Sequence, residues 1–167
     1  MSERTSTSQG QSIRIREAST HDQPRLIGLI NAAFSVETFL DGTRTDEERL
    51  TAMMAKGTVL VAEDDRGQLL GSVYIEKRKN HGYLGMLAVD PARQGRGMGR
   101  RLVQEAEDRF RRLGCVALDI TVLSLRPELL PIYRRFGFVE TGTEAFKTSQ
   151  RLHPGMECHC IVMSKLL

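Results

Sequence analysis

Three glycines at alternate positions sit among arginines in Arg93-Gln94-Gly95-Arg96-Gly97-Met98-Gly99-Arg100, just after the apolar run Leu87-Ala88-Val89 and its stop, Asp90-Pro91. Residues of these types in this order suit phosphate binding. Glycine frees the backbone to turn and sets no side chain between its N–H and a ligand. A helix beginning just beyond brings unpaired N–H groups and partial positive charge. Arg96 and Arg100 offer charge for further phosphate groups. Three kinds of phosphate loop compete. A P-loop requires Gly-Lys-Ser/Thr where Gly99-Arg100-Arg101 stands. A dinucleotide loop places its third glycine one position later, and the acid it wants about 20 residues on, Asp119, falls in mid-strand. The pattern Gln/Arg-x-x-Gly-x-Gly/Ala fits Gln94 to Gly99 without adjustment.

Metal chemistry is not expected. Cys115, Cys158 and Cys160 are an odd set, which argues against a disulfide framework. Cys158-His159-Cys160 lacks the usual ligand spacing and a second ligand pair. Both cysteines are read as sharing one face of a late strand and packing inside.

The elements that must position the glycine loop follow from hydrophobic periodicity. Ile13 and Ile15 alternate with Arg14 and Arg16 as a short strand. Ser19 or Thr20 caps a helix from about His21 to Phe34, and Thr45-Asp46-Glu47-Glu48 has the form of a capping box for a second, ending at Lys56-Gly57. Strands are expected at Thr58–Glu63, Leu69–Lys77 and Tyr83–Val89, separated by turns. After the glycine run a helix extends to Leu113, its apolar residues spaced by three and four, and Val116 to Val122 forms a strand. Strand, helix and strand over this distance make a right-handed parallel crossover. A short helix, Glu128 to Phe136, and two strands, Phe138–Phe146 and Glu157–Ser164, complete the chain. The fold class is α/β (α+β): a single domain with a mixed, mostly antiparallel sheet, helices on both faces and a central parallel crossover.

Composition agrees with one ordinary soluble domain: 167 residues, 40% hydrophobic and 27% charged, with no apolar run long enough for a membrane span. Residues 1–11 are polar and read as a disordered tail without a secretory apolar core, so residues 12–167 form the domain and a cytoplasmic location is expected. Net charge is only +3. Seven arginines against three acids give the segment Arg93–Arg112 a charge of +4, leaving about −1 for the rest. Low overall charge and no nucleic-acid reading motif exclude nucleic acid and membrane as expected partners. Arg109, Arg111 and Arg112 are read as a solvated helix face.

Loop, crossover and the ending Tyr133-Arg134-Arg135-Phe136-Gly137-Phe138 together resemble the Gcn5-related N-acetyltransferase (GNAT) family, over about Ile13 to Leu167. The resemblance implies the acyl-CoA N-acyltransferase fold, acetyl-CoA as co-substrate and an amine acceptor, small molecule or peptide. It leaves a homodimer open. It implies that backbone groups of Leu87 and Val89 pair with the pantetheine arm. Backbone N–H groups from Gln94, Gly95, Arg96, Gly97, Met98, Gly99 and Arg100 would hold the pyrophosphate. Tyr133 would protonate the departing thiolate, a packed core aromatic being the alternative. Where the family often has Asn, seven residues before the tyrosine, stands Arg126, which could approach a phosphate or the substrate. Gly85 fits the bulge that splays this family's sheet, with close packing as the other explanation.

The chemistry implied is direct attack of an amine on a thioester. An ammonium cannot attack, so a base or water must take its proton. Glu76 is the candidate base, with Glu144 and His81 as substitutes and a solvated surface role as its alternative. Acceptor identity is expected to reside in Phe34 to Thr45 and in the last two strands. There Glu37 and Asp41 would suit a cation and Arg44 a carboxylate, while plain solvated loop charges would explain all three. A non-catalytic acyl-CoA-binding module with the same fold is the competing reading.

Overall fold

In this computed structural model, which describes residues 12–167, the alternating start of the domain forms β1 (Arg14–Glu17). The expected tail, residues 1–11, lies outside the described residues. One 3₁₀ turn leads into α1 (Gln23–Ala33). Asp22 in that turn is buried; it accepts the Ser19 N–H at 2.7 Å and hydrogen bonds from Arg16 at 2.8 and 3.0 Å and from Arg25 at 2.7 Å. The cap of α2 (Glu47–Lys56) is Asp46 rather than Thr45: its Oδ1 accepts the Arg49 N–H at 2.8 Å. Thr45 is buried instead, its backbone held by the Asn31 side chain.

Strands β2 (Thr58–Glu63), β3 (Leu69–Arg78), β4 (His81–Val89), β5 (Ala117–Leu123), β6 (Val139–Ala145) and β7 (His159–Leu166) join β1 in one sheet of order β1-β2-β3-β4-β5-β7-β6. Between β4 and β5 runs α3 (Met98–Arg112), and this pair is parallel while the other named pairs are antiparallel. One face of the sheet is covered by α1 and α2 through Leu26, Ile30 and Leu50. The other is covered by α3, through Leu102, Val103, Ala106 and Phe110, and by α4 (Leu129–Arg135), through Leu129 and Tyr133. The mixed, mostly antiparallel α/β domain with its central crossover is therefore the observed architecture. Gly82 fixes how closely α3 approaches: a Cβ there would lie 2.3 Å from Phe110 Cδ2.

The feature that positions the site is a parting of strands. β4 and β5 pair only from His81↔Ala117 to Tyr83↔Asp119. On its other side, β4 carries a bulge, because Ser72 pairs with Ala88 and Tyr74 with Gly85, leaving Met86 and Leu87 opposite Val73 alone. The extra residue bends and twists the strand. The bulge falls at Met86, at φ 51°, and Leu87, just past the expected Gly85, which stays paired. Gly85 answers to packing: a Cβ there would come within 3.0 Å of the Tyr83 ring.

At the end of the chain β7 starts at His159, two residues later than expected, so Cys158 precedes it. Cys160 packs inside, whereas Cys158 is half-buried and accepts a weak contact from Ser124 Oγ at 3.6 Å. The two cysteines thus do not share a strand face. No helix among the described residues is long and apolar enough to cross a membrane.

Candidate active site

Where β4 and β5 part, the gap opens into a cavity of about 620 Å³. Its walls include Leu84–Val89 on β4 (Ala88 excepted), Ile120–Leu123 on β5, and Gln94, Gly95, Gly97, Met98, Gly99 and Arg100 of the loop. Gly95 and Gly97 both lie at φ +79°, a conformation that side chains with a Cβ rarely adopt. Space around both is open. Gly97 is the N-cap of α3, whose first intrahelical bond is Arg101 N–H to Gly97 O at 3.1 Å. The N–H groups of Gly97 through Arg100 consequently have no intrahelical partner. Gly99 needs neither a positive φ nor tight space, since a Cβ there would sit 3.7 Å from Leu87.

The expected loop residues do not all face the cavity. Arg96 is exposed and outside the lining, while Arg100 is part of it. Arg109, half-buried, pairs with Glu17 and Glu105, and the exposed Arg111 with Asp108 and the buried Glu107; neither arginine lines the cavity.

Tyr133 reaches the cavity from α4. Its ring packs edge-on against Phe136 and Phe138, at 6.1 and 5.9 Å between centroids, so it is both a packed aromatic and a cavity residue. Burial pushes the phenol up to about 12, with Arg126 opposing and Tyr83 reinforcing the shift. Among the described residues no protein group hydrogen-bonds its hydroxyl.

Arg126 also lines the cavity, but two carboxylates hold it. Its Nη1 donates to Glu37 Oε2 at 2.8 Å and its Nε to Glu128 at 2.5 Å. Glu37 is buried, and its other oxygen accepts Arg44 Nη1 at 3.2 Å. Glu37 and Arg44 are therefore not solvated loop charges; Asp41 is exposed and bonded to His153.

Glu76 does not line this cavity. It sits in a neighbouring hollow of about 300 Å³ that shares Gly85 and Met86 with the main one. Arg78 at 3.2 Å and the Tyr74 hydroxyl at 2.7 Å engage its carboxylate. Arg78 chiefly holds it below the usual carboxylate range, against the opposing effect of burial. A carboxylate so stabilised is a poor base. Glu144 is exposed on β6, and His81 is bonded to Asp119 at 2.7 Å; neither lines the cavity.

No residue of β6 or β7 lines it either. The segment between them instead braces the loop after α1: Leu40 bridges Leu152, Asp41 N–H donates to Arg151 O at 2.8 Å, and His153 N–H to Phe39 O at 3.0 Å. Sequence reasoning passed over the β5 wall, Ile120 to Leu123, and Arg135. The parallel pairing of β5 with β4 was the available signal for the former.

A model of the acetyltransferase (GNAT) domain matches residues 17–160. The chain belongs to the GNAT acetyltransferase family. This acetyltransferase is 32% identical over 145 residues to glucosamine 6-phosphate N-acetyltransferase 1 of Oryza sativa subsp. japonica, covering 81% of this chain and 86% of that one. It is 29% identical over 140 residues to a mycothiol acetyltransferase of Propionibacterium freudenreichii subsp. shermanii, covering 79% of this chain but only 45% of the relative. In three dimensions it superposes on a Salmonella typhimurium protein solved with its cofactor acetyl-CoA, at a TM-score of 0.73. The identity there is 23%, covering 93% of this chain and 94% of the other, and shows the shared fold.

Proposed function

We propose that residues 12–167 form one GNAT domain that moves an acetyl group from acetyl-CoA to a primary amine, of a small molecule or a peptide, by direct attack. The parting of β4 from β5 beside an unpartnered phenol is the observation that carries this reading. The cavity fits acetyl-CoA: two left-handed glycines leave open space at the start of α3, and β4 beyond Tyr83 has no partner strand on its β5 side. Its acetyl thioester supplies the carbonyl carbon that the amine attacks. Backbone N–H groups of the loop, Gln94 to Arg100, bind the pyrophosphate, with Arg100 at hand for charge. Leu87 and Val89 offer backbone groups to the pantetheine arm as an added strand would.

Tyr133, protonated throughout the neutral range, gives its proton to the departing thiolate. Holding both reactants in one cleft supplies on the order of 7–11 kcal/mol of the barrier. A placed acid adds ~10²–10⁴-fold. Among the described residues each carboxylate that lines the cavity is paired with arginine, so the acceptor ammonium loses its proton to water. The sugar-phosphate and mycothiol specificities by which the relatives are named support a small-molecule acceptor.

Isothermal titration with acetyl-CoA and, separately, with NAD tests the reading, followed by release of free CoA thiol on adding amines. Micromolar binding of acetyl-CoA without an NAD response is expected. Absence of acetyl-CoA binding overturns it.

A further inference from the structure

We propose that Arg44 and Arg126 form an anion subsite in the cavity, so that the acceptor is a small amine that also carries a carboxylate or a phosphate. This rests on the acetyl-transfer reading above. Among the described residues the charged side chains lining the cavity are Glu37, Arg44, Arg100, Arg126, Glu128 and Arg135, four cations against two anions. Neither anion is available to a cationic substrate. Glu37 faces a guanidinium with each oxygen, and Glu128 meets Arg126 from the exposed side, at 59% side-chain exposure. An ammonium or polyamine tail entering here would meet two guanidinium groups before it met a free carboxylate.

The same two guanidiniums keep donors in reserve. Arg44 uses Nη1 on Glu37 and Nε on Met86 Sδ at 3.1 Å; Arg126 uses Nη1 on Glu37 and Nε on Glu128. Among the described residues the Nη2 group of each has no protein acceptor, and neither is a buried, unpartnered atom. Both therefore open onto accessible space. Glu37 between them holds the pair together, with Arg44 and Arg126 at 19% and 14% side-chain exposure. The Arg44 guanidinium also lies 4.8 Å from the Phe34 ring centroid, which fixes its plane. Forked, immobilised and partly dehydrated donors are what a carboxylate or phosphate selects. The bond to Met86 puts this subsite at the bulge of β4.

Matched probes test the subsite, by binding to the CoA-loaded protein and by turnover with acetyl-CoA: glucosamine 6-phosphate against glucosamine for the phosphate, and serine against serinol for the carboxylate. Titration calorimetry and thiol release should each favour at least one anionic member by about tenfold, the value of one charged hydrogen bond. Whichever arm responds identifies the anion. Arg44→Gln should erase that preference while leaving acetyl-CoA affinity unchanged, and Arg44→Lys should restore part of it. Thermal unfolding of each variant separates loss of the subsite from loss of the fold. Equal or weaker binding of both anionic members, an unchanged preference in Arg44→Gln, or a loss of acetyl-CoA affinity in that variant overturns the proposal. Failure of acetyl-CoA to bind the unaltered protein would overturn the acetyl-transfer reading instead.

Discussion

Tyr133 keeps its proton across the neutral range because burial raises its phenol to about 12. As a proton donor it therefore sets no alkaline limb below about pH 11, roughly one unit under that value. Tyr133→Phe should lower kcat about 10²-fold or more, with acetyl-CoA affinity nearly unchanged in titration. Equal turnover would leave the ring only its packing against Phe136 and Phe138. Gly97→Glu should abolish acetyl-CoA binding, since it forces a side chain into φ +79° and sets a negative charge at the start of α3. Glu76→Gln is expected to leave the acid limb of kcat/KM in place, because that limb belongs to the acceptor amine. Its flattening would return Glu76 to the role of base. The glycines were legible from residue type and spacing, and Tyr133 only through the family resemblance that its Tyr-x-x-x-Gly-Phe ending carries. The engagement of Glu76 was not, since it depends on how the side chains of Tyr74 and Arg78, two residues to either side on the same face of β3, turn toward its carboxylate.

Elements were legible where periodicity is strong and less so where two caps compete. The alternation in Ile13–Arg16 and the three-and-four spacing in α3 gave β1 and α3 to within a residue or two. Thr45 and Asp46 both suit a cap; Asn31 holds the Thr45 backbone aside, and Asp46 accepts the Arg49 N–H. A glycine inside a strand marks Gly85 as the bulge, whereas the bulge lies at Met86 and Leu87. The contact of Gly85 with the Tyr83 ring, invisible in one dimension, is a second reason for glycine. Two predictions belong here. Gly82→Ala should cost about 1–3 kcal/mol in denaturant unfolding, since Phe110 leaves no room for a methyl group. Asp22→Asn should cost about 1–3 kcal/mol at neutral pH by weakening the charged bonds to Arg16 and Arg25. Arg16 lowers the folded-state pKa of Asp22, burial opposes, and the Ser19 N–H and Arg25 assist. That contribution is complete above the unfolded value of about 3.9 and is lost as pH falls below it. The variant should therefore unfold less steeply between about pH 4 and 2.

At the scale of the whole molecule, the sheet is two units, β1 to β4 and β5-β7-β6, joined by three paired positions. A ligand lodged between them adds contacts that the parted strands lack. At a hundredfold excess over its Kd, acetyl-CoA should stabilise the fold by about 2.7 kcal/mol. For a chain of this size that is about 5–10 °C in Tm by calorimetry. No shift would mean that the gap is not its site. The sequence by itself determined the strand and helix order, the central crossover and the glycine loop that opens α3, because periodicity and glycine spacing act between near neighbours. Only the tertiary structure decided which charges meet in the cavity. Glu37, Arg44 and Arg126 come from loops up to 89 positions apart, and packing alone turns an acid and two bases into one electropositive wall.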